Sequence, residues 1–138
     1  MYTIRLLYFW KMIRHTFKKA EKLTNKKVFD SLFAEGKSFS VPPLRFIWVK
    51  TKSSLSTPVQ LGISVPKKLF AKAVDRNIIK RRIRESYRKN KAPVYEVLQN
   101  LNLHIALMII YVEKEELPYQ EIENKMIVSL LKLIAQLK

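Results

Sequence analysis

From Leu103 to Val112 the chain is apolar at every position except His104. A run of this length and composition reads as a buried central strand, and such a strand obliges the rest of the chain to supply a sheet and helices that cover it. His104, inside that run, reads as a satisfied core histidine rather than a catalytic base.

The flanking segments supply the remaining elements. Val59-Gln60-Leu61-Gly62-Ile63-Ser64-Val65 alternates without error. Val59, Leu61, Ile63 and Val65 share one face, and Gln60, Gly62 and Ser64 share the other. The second face is small and polar, as suits a strand lining an open cleft. Leu44 to Thr51 is rich in aromatic and β-branched residues and reads as a strand. Lys37 to Ser40 is a short strand candidate before Pro42-Pro43. Thr24 is the expected N-cap of a helix holding Val28, Phe29, Leu32 and Phe33, which Gly36 closes. Pro118 precedes a last helix, Tyr119 to Leu137, with an apolar stripe of Ile122, Met126, Leu130, Leu133 and Leu137. A short helix over Val94 to Asn100 is a further candidate after the break at Ala92-Pro93. The expected order is α-β-β-β-α-β-α, an α+β two-layer sandwich with helices packed on one four-stranded mixed sheet.

Charge is concentrated where the alternating strand ends. Residues 67–91 carry eleven basic and two acidic side chains, a net of +9. Residues 1–91 carry 23 basic and 5 acidic side chains, net +18, whereas residues 92–138 carry 4 and 6, net −2. A polyanion, phosphate first, is the partner such a density implies. On a helical wheel Val74, Ile78, Ile79, Ile83, Ser86 and Tyr87 share one broad side. Arg76, Lys80, Arg84 and Arg88 form a ridge on the other, with Asn77 and Arg81 beside it and Arg82 at the apolar edge. Three like-charge pairs at i,i+4 spacing cost about 1 kcal/mol in sum, which marks the ridge as a binding surface rather than an ordinary solvated face. Asn77 is ambiguous: it suits a sugar hydroxyl, a base or a bound water, and equally a local backbone hydrogen bond. Phe29, Phe33, Phe39, Phe46 and Trp48 all precede this helix. Each is either core or a platform on which unpaired bases stack.

Several chemistries are excluded. The chain has no cysteine, so disulfides, thiolate nucleophiles and cysteine-based zinc sites are absent. Two histidines are too few for a histidine metal cluster, and Gly36 and Gly62 alone cannot build a glycine-rich phosphate loop. The acids form no cluster of the kind a metal-dependent nuclease needs. The residues describe an RNA binder that leaves chemistry elsewhere. Residues 1–21 read as an N-terminal extension to a domain over 22–138. Tyr2 to Ile13 is too short to span a bilayer and lacks the order of a signal peptide. Translation starting upstream of Met12 is one origin for it, and an amphipathic segment lying on a partner or membrane is the rival reading.

The run Ala73-Val74-Asp75-Arg76-Asn77-Ile78-Ile79-Lys80-Arg81-Arg82-Ile83-Arg84-Glu85 closely resembles the signature of the bacterial ribonuclease P protein subunit. The resemblance takes in Gly62 to Lys68 before it and the helix Lys27 to Gly36. It implies a small protein cofactor of a catalytic RNA that, with Mg2+ bound mainly through the RNA, removes the 5′ leader of precursor tRNA. It implies a ribosomal-protein-like fold with a left-handed βαβ crossover, where general rules favour the right-handed form. Carried over residue by residue, Arg76, Asn77, Lys80, Arg81 and Arg84 are expected to bind the RNA subunit. Phe29, Phe33, Phe46, Lys67 and Lys68 are expected to hold the leader, with Trp48 compensating for Val49, where relatives can carry a tyrosine. No catalytic residue, metal ligand, membrane or protein partner is implied, and the location is cytoplasmic. The alternative is a ribosomal or general RNA-binding protein. A DNA-binding protein is weaker, because no helix-turn-helix element precedes the ridge.

Overall fold

The computed structural model describes residues 19–51 and 57–138. Tyr2 to Ile13, Met12, and most of the Lys52 to Pro58 loop lie outside the described residues. After a 3-10 turn, Lys19–Glu21, come α1 (Lys26–Glu35), β1 (Lys37–Val41), β2 (Leu44–Thr51) and β3 (Val59–Ser64). Then follow α2 (Ala73–Asn90), α3 (Ala92–Asn100), β4 (His104–Tyr111) and α4 (Tyr119–Leu137). The candidate helix Val94 to Asn100 is present as α3, and it starts at Ala92, taking in the Ala92-Pro93 pair expected as a break. Pro93 sits in its first turn, where a missing N–H costs nothing, so the proline starts this helix instead of interrupting it.

The sheet runs β1-β2-β4-β3. β2 pairs antiparallel with β1 and β4, and β3 pairs parallel with β4. The apolar run is therefore central. A parallel neighbour requires a crossover, and α2 with α3 provides it.

Alternation along the strands divides the interior in two. Phe46, Trp48, Leu61, Leu107, Ile109 and Tyr111 face one side, against Ile79, Ile83 and Tyr87 of α2, Val94 and Leu98 of α3, and all five stripe residues of α4. Ile47, Ala106 and Met108 face the other, under α1 and Leu23. The helix caps differ from expectation at one end. Asn25, not Thr24, is the N-cap of α1, its Oδ1 accepting from Lys27 N at 2.9 Å. Gly36 does close the helix, but with φ −66°. Its need is space: a Cβ there would lie 2.7 Å from Ile47 Cγ2. His104 Nδ1–H donates to Thr57 O, 3.1 Å away, as a structurally satisfied histidine should.

The segment around Lys22 is packed on the sheet. Glu21 is 3% exposed, and Leu23 N donates to Leu61 O at 2.9 Å. Lys22 pairs with Leu61 in a parallel bridge on the outer edge of β3.

Candidate nucleic-acid interface

α2 is held by its apolar side. Ile79, Ile83, Ser86 and Tyr87 are buried, and Ser86 satisfies its hydroxyl by donating to Ile83 O. Val74, placed on the apolar side by the wheel, is 68% exposed, because the helix starts beyond the edge of the core.

The eleven cations of residues 67–91 then sort by partner. Lys91 is fully buried, its Nζ 2.5 Å from Glu21 Oε1. Arg82, at the apolar edge, is held in place: Nη1 donates to Leu117 O at 2.8 Å and lies 3.1 Å from Glu116 Oε1. With Tyr111, which donates to Glu115 O and accepts from Leu117 N, it pins the turn before α4. Arg88 grips Glu85 with two nitrogens at 2.6 and 3.1 Å. That hydrogen bonding holds the Glu85 carboxyl below its ordinary range and raises Arg88 above its own. Lys89 Nζ sits over the Tyr119 ring, 5.5 Å from its centroid. Arg76 Nη1 donates to Phe70 O and Ala71 O, both at 2.9 Å, and so fastens the turn leading into its own helix.

Among the described residues, Lys67, Lys68, Lys72, Lys80, Arg81 and Arg84 form no ion pair. These are the cations left for phosphate. Asn77, Arg81 and Arg84 are exposed on one side of α2, and Lys67 and Lys68 are exposed in the turn after β3. The ridge read from sequence is thus tethered at both ends, Arg76 by carbonyls and Arg88 by Glu85. Lys80 and Arg84 remain as its open middle.

That middle borders a groove of about 480 Å³. Lys80 and Arg84 form one wall, and Lys22 to Thr24 with Phe29 of α1 form the other. The floor is Gly62 and Ser64 of β3 with Met108 of β4. The small, polar strand face expected to line a cleft does so through Gly62 and Ser64. A Cβ at Gly62 would lie 2.8 Å from Met108 Cε, so glycine lets the methionine lie against the strand. Cations on the walls over a partly apolar floor can track a phosphate backbone while an unpaired base rests on an aromatic ring.

The aromatic expectations divide. Phe29 is half-buried in the groove, and Phe33 is 66% exposed on α1 outside it. Phe46 and Trp48 are corrected: they are 0% and 2% exposed on the opposite face of the sheet. Phe46 packs on Phe39 with centroids 5.3 Å apart, and Trp48 Nε1 donates to Gln136 Oε1 at 2.7 Å. Buried under the helices, neither ring is accessible to a base, and Trp48 cannot stand in for Val49, which faces α1. Lys22 and Met108 were missed as lining residues, whereas Ser64 was not. Only β3's alternation signalled any of them, because the others depend on which elements the fold brings alongside it. Among the described residues no group of three or more His, Asp or Glu is placed to hold a metal ion.

Comparison with known proteins adds the context. The Ribonuclease P family model matches residues 17–134. The ribonuclease P protein component of Porphyromonas gingivalis is 33% identical over 115 residues, covering 83% of this chain and 84% of that protein. That of Legionella pneumophila is 37% identical over 82 residues, covering 59% and 69%. The solved RNase P protein from Thermotoga maritima superposes with a TM-score of 0.63 at 26% identity, covering 81% of this chain and 96% of that one. The RNase P protein of Staphylococcus aureus gives 0.61 at 27% identity, covering 83% and 95%.

Proposed function

This chain belongs to the bacterial ribonuclease P protein family, and from that premise we propose that its groove takes the single-stranded 5′ leader of precursor tRNA while α2 docks on the RNA subunit. Family membership makes it the protein part of an endoribonuclease complex with an RNA partner, acting in tRNA processing. The general RNA-binding alternative is not favoured.

The observation that carries the finer reading is the groove itself. Lys80 and Arg84 face Lys22 and Phe29 across a floor without a carboxylate. Such a channel attracts a phosphodiester strand and has no group that could cleave it. We therefore assign bond cleavage to the RNA subunit. Mg2+ does not fit the groove's own residues, which are cationic or neutral, so we assign it to RNA phosphates. Asn77, Arg81 and Arg84 lie on the exposed side of α2 as RNA-subunit contacts, with Lys80 shared between that side and the groove. Arg76 acts by shaping the turn before α2. Lys67 and Lys68 extend the positive surface beyond the groove. Among the described residues Phe29 is the aromatic that lines the groove, placed to stack on a leader base, and Phe33 stands further along α1. Among the described residues no helix is long and apolar enough to cross a membrane, and we place the protein in the cytoplasm with its RNA.

Reconstitution with the RNA subunit of the same genome tests this. The protein should lower the Mg2+ needed for cleavage and strengthen binding of leader-bearing precursor over mature tRNA. Equal strengthening of both would sink the leader assignment. No effect on cleavage at any Mg2+ concentration would sink the subunit assignment.

A further inference from the structure

Among the described residues, one ion pair lies wholly inside the protein. Glu21 is 3% exposed and Lys91 0%. Glu21 Oε1 accepts from Lys91 Nζ at 2.5 Å and from the Tyr95 hydroxyl at 2.8 Å. Tyr87 donates to the Tyr95 hydroxyl at 3.1 Å, and Lys91 Nζ stands 5.0 Å from the Tyr95 ring centroid. Removing a carboxylate and an ammonium from water is costly, and apolar side chains of the same volume often serve stability as well or better. What a buried pair does supply is direction, because it fixes which two pieces of chain meet and in what register.

The two pieces here are the two walls of the groove. Lys91 is the residue at which α2 ends and α3 begins. Lys80 and Arg84 stand on α2. Glu21 immediately precedes Lys22, Leu23 and Thr24, which form the opposite wall. The segment is also held to the strand floor, by the Lys22–Leu61 bridge and the Leu23 N to Leu61 O bond. The bridge ties the wall to the floor, and the Glu21–Lys91 pair ties it to the helix across the floor.

We infer that Glu21 and Lys91 are positioning residues that set the separation of the groove walls, and through it the preference for leader-bearing precursor tRNA over mature tRNA. The inference rests on the leader reading of the groove. Neither side chain lines the groove, so neither contacts the strand it would accommodate.

The test uses the holoenzyme reconstituted from full-length protein and its RNA subunit. The double variant Glu21→Leu with Lys91→Met replaces the pair by apolar groups. Its affinity for precursor carrying a 5′ leader should fall roughly tenfold, well within what a small misplacement of binding groups costs. Its affinities for mature tRNA and for the RNA subunit should stay within about twofold, since those surfaces are unaltered. Glu21→Asp keeps the charge but shortens the reach, and should give an intermediate loss; it carries the test if the double variant does not fold. A direct readout uses the absence of native cysteine. Spin labels on Thr24→Cys and Arg81→Cys should report a shifted or broadened distance when the pair is removed. The inference is overturned if folded variants keep both the wild-type leader preference and the wild-type distance. A wild-type holoenzyme indifferent to the leader overturns the leader reading, and with it the preference claimed for the pair; the distance measurement then still decides whether the pair spaces the walls.

Discussion

The two faces of the sheet are built from alternate residues of the same strands, yet they do opposite things. On one face Phe46, Trp48, Leu107 and Ile109 are sealed beneath three helices. On the other, Ile47, Ala106 and Met108 lie under a single ten-residue helix, and the face stays open where Gly62 and Ser64 meet solvent. Neighbouring residues on one strand can thus differ completely in role. Stability is placed on the sealed face, and the other face is left room to bind.

The contrast is most exposed at two aromatic residues. Trp48→Ala should cost about 3–5 kcal/mol of folding stability, as large core truncations do, measured by denaturant unfolding. Its folded fraction should bind precursor normally. Phe29→Ala should cost little stability but about 1–3 kcal/mol of leader-precursor affinity, the scale of one lost base stack, read by equilibrium binding. A selective loss of leader binding in the first variant, or its absence in the second, would break the division between faces.

The cations of α2 repeat the contrast along a helix. Arg81→Ala and Arg84→Ala should each lower the salt slope of RNA-subunit binding by about one counterion. Arg82→Ala should leave that slope unchanged and instead cost about 1 kcal/mol of stability, the net worth of a typical hydrogen bond, because its partners are Leu117 O and Glu116. A titration of affinity against salt separates the two kinds of arginine.

The smallest effect lies on the sealed face. Burial pushes the hydroxyls of Tyr87 and Tyr95 well above the ordinary tyrosine value of 10.0. Above about pH 10 the unfolded chain releases these protons and the folded chain keeps them. The unfolded state then binds fewer protons, so stability falls as pH rises. Tyr87→Phe should make that fall shallower, while costing about 1 kcal/mol near neutrality. Thermal unfolding followed from pH 8 to 11 checks both.

The strands were legible in the sequence because alternation is a local property, and the α4 stripe for the same reason. The sheet order was not, since nothing in β4 itself says that β2 and β3 flank it. Alternation showed that Phe46 and Trp48 share a face, but which face is sealed depends on where α2, α3 and α4 pack. The charge of α2 was legible as a total. Its division into bound and available cations was not, because Glu21 lies 70 residues from Lys91 and Leu117 lies 35 from Arg82. Asn77 is exposed on the same side as Arg81 and Arg84.

The bridge between Lys22 and Leu61 has a consequence for the protein before it meets any RNA. β3 is an outer strand, and a free outer strand offers unpaired donors and acceptors to a second molecule. Here the chain's own segment takes that place at the middle of the strand. The other outer strand, β1, is only five residues long, begins at Lys37 and stops at Pro42, features that discourage edge pairing. Freshly made protein should therefore resist sheet-to-sheet aggregation while it waits for its partner.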